Sequence, residues 1–177
     1  DFVLNTLIPL KGEILTALNH FWTTTVISQI CETDFVACGA GIDEYLPEGL
    51  RHNHDLQKRG TEVKLVAPPE IEDVVRLYLT GSGWTSYRKD GSVCGHKLPS
   101  GLFDRSKLPY PIYTPTTKAD VGHDEPVSAD SVAYRYGVQR ERLSLQVAGA
   151  IASYAERRGI IMADTKFEFS YVDGRLI

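Results

Sequence analysis

The sequence has few cysteines, no long apolar run and no surplus of basic residues, and each absence excludes a class of protein. Its three cysteines, Cys31, Cys38 and Cys94, form no CxxC pair. This favours reduced thiols in the cytoplasm over a disulfide framework, and no zinc site is expected. No run approaches the roughly 18 apolar residues of a membrane span. No secretory signal is visible either.

The charge balance argues against a nucleic-acid partner. The chain carries 19 basic and 23 acidic residues, a net charge of −4, whereas nucleic-acid binders usually show a basic surplus. A small anionic substrate remains compatible, because one local pocket of Arg and Lys is enough to bind it. With 177 residues, 42% of them hydrophobic, the chain can form one domain or two small lobes that share a cleft.

The periodicity of apolar residues predicts a mixture of helices and strands. A helix is expected from residue 13 to about 30, weakened by the β-branched run at Thr23–Thr25. Residues 31–60 and 84–126 are interpreted mainly as loops, and a helix is expected to start near Ser128. A second helix is expected at 139–158, ended by Gly159. Strands are expected at 61–66, 71–79 and 160–169, with a hairpin turn at 173–174.

The sequence also lacks the Gly-Lys-Ser/Thr of a P-loop, so a Walker-type ATPase is not supported. A different anion site is indicated where the strand at 71–79 ends. Glu72 and Arg76 share one face of that strand, and Gly81, Ser82 and Gly83 follow it. Glycines allow backbone N–H groups to approach an anion, and a guanidinium suits phosphate. The alternative is an ordinary turn, with Arg76 paired to Glu72.

The strand expected at 160–169 carries an unusual row of charges. Asp164, Lys166 and Glu168 alternate with Thr165 and the aromatic residues that follow, so the charges share one face. Carboxylates are ligands for Mg²⁺ and Lys suits phosphate, which predicts a metal-nucleotide site. Three alternatives stay open: an ATP-dependent enzyme, a metal-dependent nuclease, and a solvated strand with internal charge pairing.

Two polar loops are further candidates for a functional role. The loop at 114–125 contains Lys118, His123 and Asp124, and such loops often carry function. His123 could act as a general base, although no orienting partner is evident and a solvated loop is the alternative. The other loop contains His52, Asn53, His54 and Asp55, a sequence that superficially favours a nuclease but is more typical of a surface loop.

Together these segments resemble the phosphoribosylaminoimidazole-succinocarboxamide synthase family, also called SAICAR synthetases. The resemblance depends most on an acid-x-x-x-Arg element followed by Gly-Ser, and on the run Asp-Thr-Lys-Phe-Glu-Phe. The matching stretches follow the family's order and extend over nearly the whole chain: 8–16, 72–84, 91–95, 113–119 and 159–169.

The resemblance implies an ATP-dependent ligase of purine biosynthesis. The family joins the carboxylate of CAIR, an aminoimidazole ribotide, to the amine of L-aspartate through an acyl phosphate, with ATP and Mg²⁺ as cofactors. The implied roles divide the candidate residues into three groups. The substrate phosphate would be bound by Glu72, Arg76, Gly81 and Ser82. The catalytic residues would be Lys118, Asp124 and Asp164. Mg-ATP would be bound by Asp164, Lys166 and Glu168, with Glu168 and Asp164 as the metal ligands.

The resemblance also implies an α+β fold with antiparallel sheets and an ATP-grasp or kinase-like nucleotide cleft between two lobes. The sequence places these lobes at about 1–79 and 80–177. The family's glycine-rich hairpin with Gly-Lys-x-Arg, its Asp-Glu pair and its later Ser-Arg element are not found in the sequence. We therefore expect a partial synthetase core without its second metal ligand and one phosphate-binding Arg, and not fully active alone.

Other functions remain open at this point. They are another Mg-dependent phosphoryl-transfer enzyme, a metal-dependent nuclease, and a nucleotide-binding protein without turnover. The expected partners are small molecules rather than nucleic acid or a membrane. Association of the chain into a homo-oligomer is compatible with the sequence.

Overall fold

The computed structural model describes residues 5–118 and 124–177. The chain divides into two compact units, Asp1–Val66 and Ala67–Ile177. The sequence interpretation puts the boundary at 79/80, after the strand that begins at Ile71. The observed boundary falls before this strand, because its hydrogen-bonded partners all come later in the chain.

The first unit begins with a helix that changes its winding partway. Helix α1 spans Lys11–Phe21, continues as a π-helical turn over Trp22–Val26 and ends in a 3₁₀ turn over Ile27–Gln29. The predicted helix is thus confirmed, and it departs from α-helical geometry at the β-branched run. There Thr24 Oγ1 donates to the carbonyl oxygen of His20 at 2.7 Å, a side-chain-to-backbone bond that often bends helices.

The rest of the first unit contains a short sheet and a second helix. Strands β1, Phe35–Cys38, and β2, Thr61–Val63, pair antiparallel, and helix α2 spans His54–Arg59. Short 3₁₀ turns cover Gly39–Glu44 and Glu48–Leu50. The sequence predicted β2 but missed β1 and α2.

The second unit is organised around one central strand. Strand β3, Ile71–Tyr78, pairs antiparallel with β6, Lys107–Tyr113, with β7, Thr116–Thr117, and with β8, Asp164–Phe167. Helices α4, Ala129–Tyr136, and α5, Gln139–Glu156, contribute to the core against one face of this sheet. The core cluster on that face comprises Ile71, Val75, Tyr113, Val132 and Ala148.

Several predicted elements of this unit are confirmed. Ser128 caps α4 by accepting from the Ser131 N–H, and Gly159 follows α5 with a φ of 76°. Strands β9, Tyr171–Val172, and β10, Arg175–Leu176, form the hairpin predicted around residues 173–174. Both turn residues there have positive φ, as a type I′ turn requires.

Two predictions for this unit are wrong. Helix α3, Gly81–Asp90, occupies the region interpreted as a turn and loop, and it precedes the hairpin of β4, Ser92–Val93, and β5, His96–Lys97. The apolar run at 160–163 is not a buried strand, since Ile160 and Ile161 are exposed. The N–H groups of Leu77 and Tyr78 both donate to the carbonyl oxygen of Ala163, so the regular ladder ends at Asp164.

Within the two described ranges, no helix is both long enough and apolar enough to cross a membrane. The mixed α+β architecture with antiparallel sheets agrees with the sequence prediction. The predicted nucleotide cleft between two lobes stays a prediction.

Candidate active site

Candidate residues from distant parts of the sequence lie on one face of the central sheet. Side chains alternate along β3, so Glu72 and Arg76 point to one face and Asp73 to the other. Strand β8 pairs with β3 so that Asp164 lies opposite Arg76 and Lys166 lies opposite Val74. Directly opposed residues share a face of the sheet. The two patterns predicted separately from sequence therefore form one surface.

The predicted alternation of charges after residue 163 is present. Asp164, Lys166 and Glu168 are exposed, whereas Thr165 and Phe167 between them are half-buried. Phe169 is buried and its ring contacts that of Phe167. Strand β8 itself ends at Phe167, so Glu168 lies just beyond the last paired residue.

Two lysine–carboxylate pairs lie on this surface. Lys166 Nζ is 2.7 Å from Glu72 Oε2, which also accepts from Thr116 Oγ1 at 3.2 Å. Lys118 Nζ is 2.7 Å from Glu168 Oε2. These hydrogen bonds raise the pKa of both lysines, so both carry a full positive charge at neutral pH.

Asp124 belongs to the same electrostatic cluster. The pKa of Lys118 is raised first by its bond to Glu168, and Asp124 adds to this. The pKa of Lys166 is raised first by its bond to Glu72, and Asp124 contributes there as well. Lys118 and Asp124 thus accompany the strand residues, as the sequence predicts for the loop. His123 lies outside the described residues.

A second corner of the surface is built around Arg76. Its Nη2 donates to Ser82 Oγ at 2.9 Å and its Nε donates to Thr114 Oγ1 at 3.1 Å. The alternative of an Arg76–Glu72 pair is not what the structure shows, because Glu72 pairs with Lys166. Ser82 lies in the first turn of α3, where the helix dipole favours an anion.

Two glycines at the start of α3 have different physical roles. Gly81 has a φ of +53°, a conformation that side chains disfavour. Gly83 is buried, and a Cβ there would lie 3.2 Å from Arg76 Cδ and 3.3 Å from Arg76 Nε. Glycine at 83 therefore lets the Arg76 side chain pack directly against the helix backbone. The sequence reasoning assigned Gly81 to the phosphate site and gave Gly83 only the general role of letting the backbone approach an anion, not its contact with Arg76.

The opposite face of β3 carries a buried ion pair that sequence reasoning missed. Arg140 of α5 donates through Nε and Nη2 to the two carboxylate oxygens of Asp73, at 3.1 and 2.5 Å. Tyr113 OH donates to Asp73 Oδ1 at 2.6 Å. Burial and the neighbouring carboxylate raise the pKa of Tyr113, so its hydroxyl keeps the proton that it donates. The ion pair links α5 to β3, and the Tyr113 hydrogen bond links β6 to the same carboxylate.

The exposed face carries carboxylates, the ligand type that a hard cation prefers. Asp164 and Glu168 offer carboxylate oxygens, and in residues 5–118 and 124–177 no group of three His, Cys, Asp or Glu side chains forms a ready-made cage. Mg²⁺ commonly uses only one or two carboxylates plus substrate phosphates and water.

The loop that superficially favoured a nuclease leads into a helix. His54 begins α2, and Asn53 caps that helix.

The sequence is similar to known proteins over its whole length. The family model described as SAICAR synthetase matches residues 1–177. The phosphoribosylaminoimidazole-succinocarboxamide synthases of Thermodesulfovibrio yellowstonii and Desulfosudis oleivorans are 43% and 44% identical to it, each alignment covering 100% of this chain and 61% of the relative. The chain therefore spans about three fifths of the length of these curated relatives.

A solved structure agrees with the observed fold. The SAICAR synthase of Saccharomyces cerevisiae, solved as a complex with SAICAR, is 34% identical and superposes with a TM-score of 0.87. The superposition covers 100% of this chain and 61% of the yeast chain. The α+β fold predicted from the sequence is thereby confirmed.

Proposed function

The chain belongs to the SAICAR synthetase family, and on that premise we propose that its sheet face serves the ligation of CAIR to L-aspartate. In this reaction ATP is cleaved to ADP and phosphate, and the product is SAICAR. The yeast relative was solved with that product bound. This chain spans 61% of the length of these relatives. We therefore propose, from the family, the activity, substrates and cofactors of the whole protein.

The observation that carries the proposal is the pairing of β3 with β8. It joins the Arg76–Ser82 corner and the two lysine–carboxylate pairs on one sheet face. The reaction involves two phosphate-bearing molecules, the ribotide and ATP. A surface with a guanidinium at one corner and two charged lysines beside carboxylates suits both.

The chemistry explains why these charges are needed. The carboxylate of CAIR is a poor electrophile, so one of its oxygens attacks the γ-phosphorus and ADP leaves. The aspartate amine then attacks the acyl carbon, inorganic phosphate leaves, and the amine loses a proton. Lys118 and Lys166 stabilise negative charge on the transferring phosphoryl group, and the Asp124 carboxylate adds to the raised pKa of both lysines.

We assign the substrate phosphate to Arg76 and to the hydroxyl and backbone N–H of Ser82, which follows Gly81, with Glu72 holding Lys166. Asp164 and Glu168 would hold Mg²⁺ with the nucleotide. When bound, that ion supplies positive charge that screens the phosphate oxygens from an anionic nucleophile. Lys118 exchanges its Glu168 partner for phosphate oxygens as the site fills.

The setting of the protein is proposed on the same basis. The three cysteines in the described ranges are free thiols, and we infer a cytoplasmic enzyme with small-molecule substrates. No nucleic-acid or membrane partner is proposed.

The test is the release of ADP by the protein with Mg²⁺ and ATP, with and without CAIR and aspartate. ADP release that requires both substrates supports the ligase. Release that is independent of aspartate would instead identify another phosphotransferase, and cleavage of DNA with Mg²⁺ alone would refute the ligase. Binding of ATP without turnover would identify a nucleotide-binding protein.

The metal assignment has its own variant. Glu168→Gln removes a carboxylate oxygen from the site and should abolish ADP release while leaving the circular dichroism spectrum unchanged. Glu48→Gln, an exposed residue of the first unit, is the matched control and should behave as the wild type. Full activity of Glu168→Gln would refute the role of Glu168.

A further inference from the structure

Thr114 is a buried residue beneath the Arg76 corner, and the assignments above give it no role. It follows β6 directly and is 1% exposed. Its backbone N–H donates to the carbonyl oxygen of Val74 at 2.7 Å. Its hydroxyl donates to the same oxygen at 3.4 Å and accepts from Arg76 Nε at 3.1 Å. The hydroxyl therefore has a defined orientation, with its proton toward Val74 and a lone pair toward Arg76.

The hydrogen bond to Thr114 uses the single hydrogen on Nε of Arg76. A guanidinium has five N–H donors, four of them on Nη1 and Nη2. Nη2 also donates to Ser82 Oγ at 2.9 Å. Because Nε is engaged, Arg76 cannot present its Nε–Nη2 edge to an anion. The two-pronged edge that remains is the Nη1–Nη2 end.

Gly83 restricts the same side chain from the helix. A Cβ at this position would lie 3.2 to 3.5 Å from Cδ, Nε and Cζ of Arg76, so the helix backbone packs against the stem and the guanidinium. With Thr114 bonded to Nε and α3 packed against the side chain, the guanidinium is held in place before any ligand arrives. Preorganisation of this kind lowers the entropic cost of binding.

We propose that Thr114 is a positioning residue that holds Arg76 through Nε, so that Nη1 and Nη2 both donate hydrogen bonds to the phosphate of a phosphomonoester ligand. The inference rests on the proposed phosphate role of Arg76. Thr114 does not contact the ligand itself. Lysine cannot replace Arg76 in this arrangement, because a single ammonium cannot bond to Thr114 and present a planar fork at once.

The matched variants are Thr114→Val and Thr114→Ser. Valine has nearly the shape of threonine but no acceptor, so Nε of Arg76 loses its partner. Serine keeps the hydroxyl and loses only a methyl group. Calorimetric titration with SAICAR should show about tenfold weaker binding to Thr114→Val, from the loss of one charge-assisted hydrogen bond. Binding to Thr114→Ser should stay within about twofold of the wild type.

A spectroscopic readout separates positioning from general stability. The Nε–H of Arg76 should give a slowly exchanging ¹⁵N NMR signal in the wild type and in Thr114→Ser, and a rapidly exchanging one in Thr114→Val. A rapidly exchanging signal in the wild type would overturn the proposal even if Thr114→Val did not fold. Wild-type affinity in a folded Thr114→Val variant would overturn it as well.

Failure of the proposed function gives a different result. In that case SAICAR binds the wild type and Arg76→Ala equally weakly, whereas the Nε–H signal still reports whether Thr114 holds Arg76. If instead Arg76→Ala loses SAICAR and Thr114→Val keeps it, the phosphate role stands and the positioning role is refuted. Affinity for ADP should be equal in the wild type, Thr114→Val and Thr114→Ser.

Discussion

The two faces of strand β3 carry ion pairs of opposite character. On one face, Lys166 pairs with Glu72, and the lysine side chain is 55% exposed whereas the glutamate side chain is 13% exposed. On the other, Arg140 pairs with Asp73, and their side chains are 4% and 0% exposed. Adjacent residues of one strand, 72 and 73, thus contribute to a pair that is open to water on its lysine side and to a fully buried one.

The difference follows from the cost of removing charge from water. A pair exposed on both sides, such as Lys118–Glu168 on the same face, gains little free energy, since water solvates both ions well when they separate. Such a pair can exchange its partner for a phosphate or a metal ion at little cost. A buried pair cannot separate without leaving a charge in a medium of low dielectric constant. We infer that the exposed face of β3 serves ligand binding and that the buried face stabilises the fold.

The largest effect on stability is expected for Asp73→Asn. This variant leaves the Arg140 guanidinium buried without its carboxylate, which should lower the free energy of unfolding by about 3–5 kcal/mol. Urea denaturation followed by circular dichroism measures the change. A decrease no greater than that of an exposed variant such as Glu48→Gln would contradict the distinction between the faces.

A smaller loss is expected for Tyr113→Phe. The variant removes the hydroxyl that donates to Asp73 at 2.6 Å and leaves the Arg140–Asp73 pair intact. Loss of one hydrogen bond to a buried carboxylate should cost about 1.5–3 kcal/mol. The same denaturation experiment gives the value, and a loss equal to that of Asp73→Asn would mean that Tyr113, not the ion pair, dominates.

Gly83→Ala should change stability less but disturb the exposed corner. Alanine gains up to about 1 kcal/mol of helix propensity over glycine, and its contact with the Arg76 side chain offsets that gain. We expect a free energy of unfolding within about 1 kcal/mol of the wild type and weaker binding of SAICAR. Thermal unfolding and calorimetry test the two parts separately, and unchanged SAICAR binding would show that Arg76 tolerates the shift.

The smallest effect on stability is expected for Lys118→Gln. Its pair with Glu168 is exposed on both sides, so the melting temperature should equal that of the wild type within error. ADP release should nevertheless be lost, because the proposed positive charge at the phosphoryl group is missing. A marked decrease in melting temperature would show that this pair is structural after all.

Much of the site was predictable because it depends on local periodicity. The alternation after residue 163 predicted the shared face of Asp164, Lys166 and Glu168, and the spacing of Glu72 and Arg76 predicted theirs. Helix α5 and the hairpin at 173–174 were predictable for the same reason, since propensity and turn chemistry act over a few residues.

The remainder depends on contacts between distant residues, which periodicity does not encode. Asp73 and Arg140 are 67 positions apart, and nothing local to either residue predicts their pairing. Helix α3 was missed because glycines at its start have low helix propensity, and local preference does not reveal that its Trp84 and Tyr87 pack against a buried cluster. The run at 160–163 looked buried because apolarity alone does not reveal which residues the fold covers.

The most direct test of the central claim is the melting temperature of the wild type and of Arg76→Ala, each with and without SAICAR. A ligand that binds only the folded protein raises its melting temperature. Without ligand we predict that the melting temperature of Arg76→Ala falls by less than is expected for Asp73→Asn, and with SAICAR we predict an increase in the wild type alone. An equal increase in both proteins, or a loss in unliganded Arg76→Ala as large as that expected for Asp73→Asn, would contradict the assignment of ligand binding to the exposed face of β3.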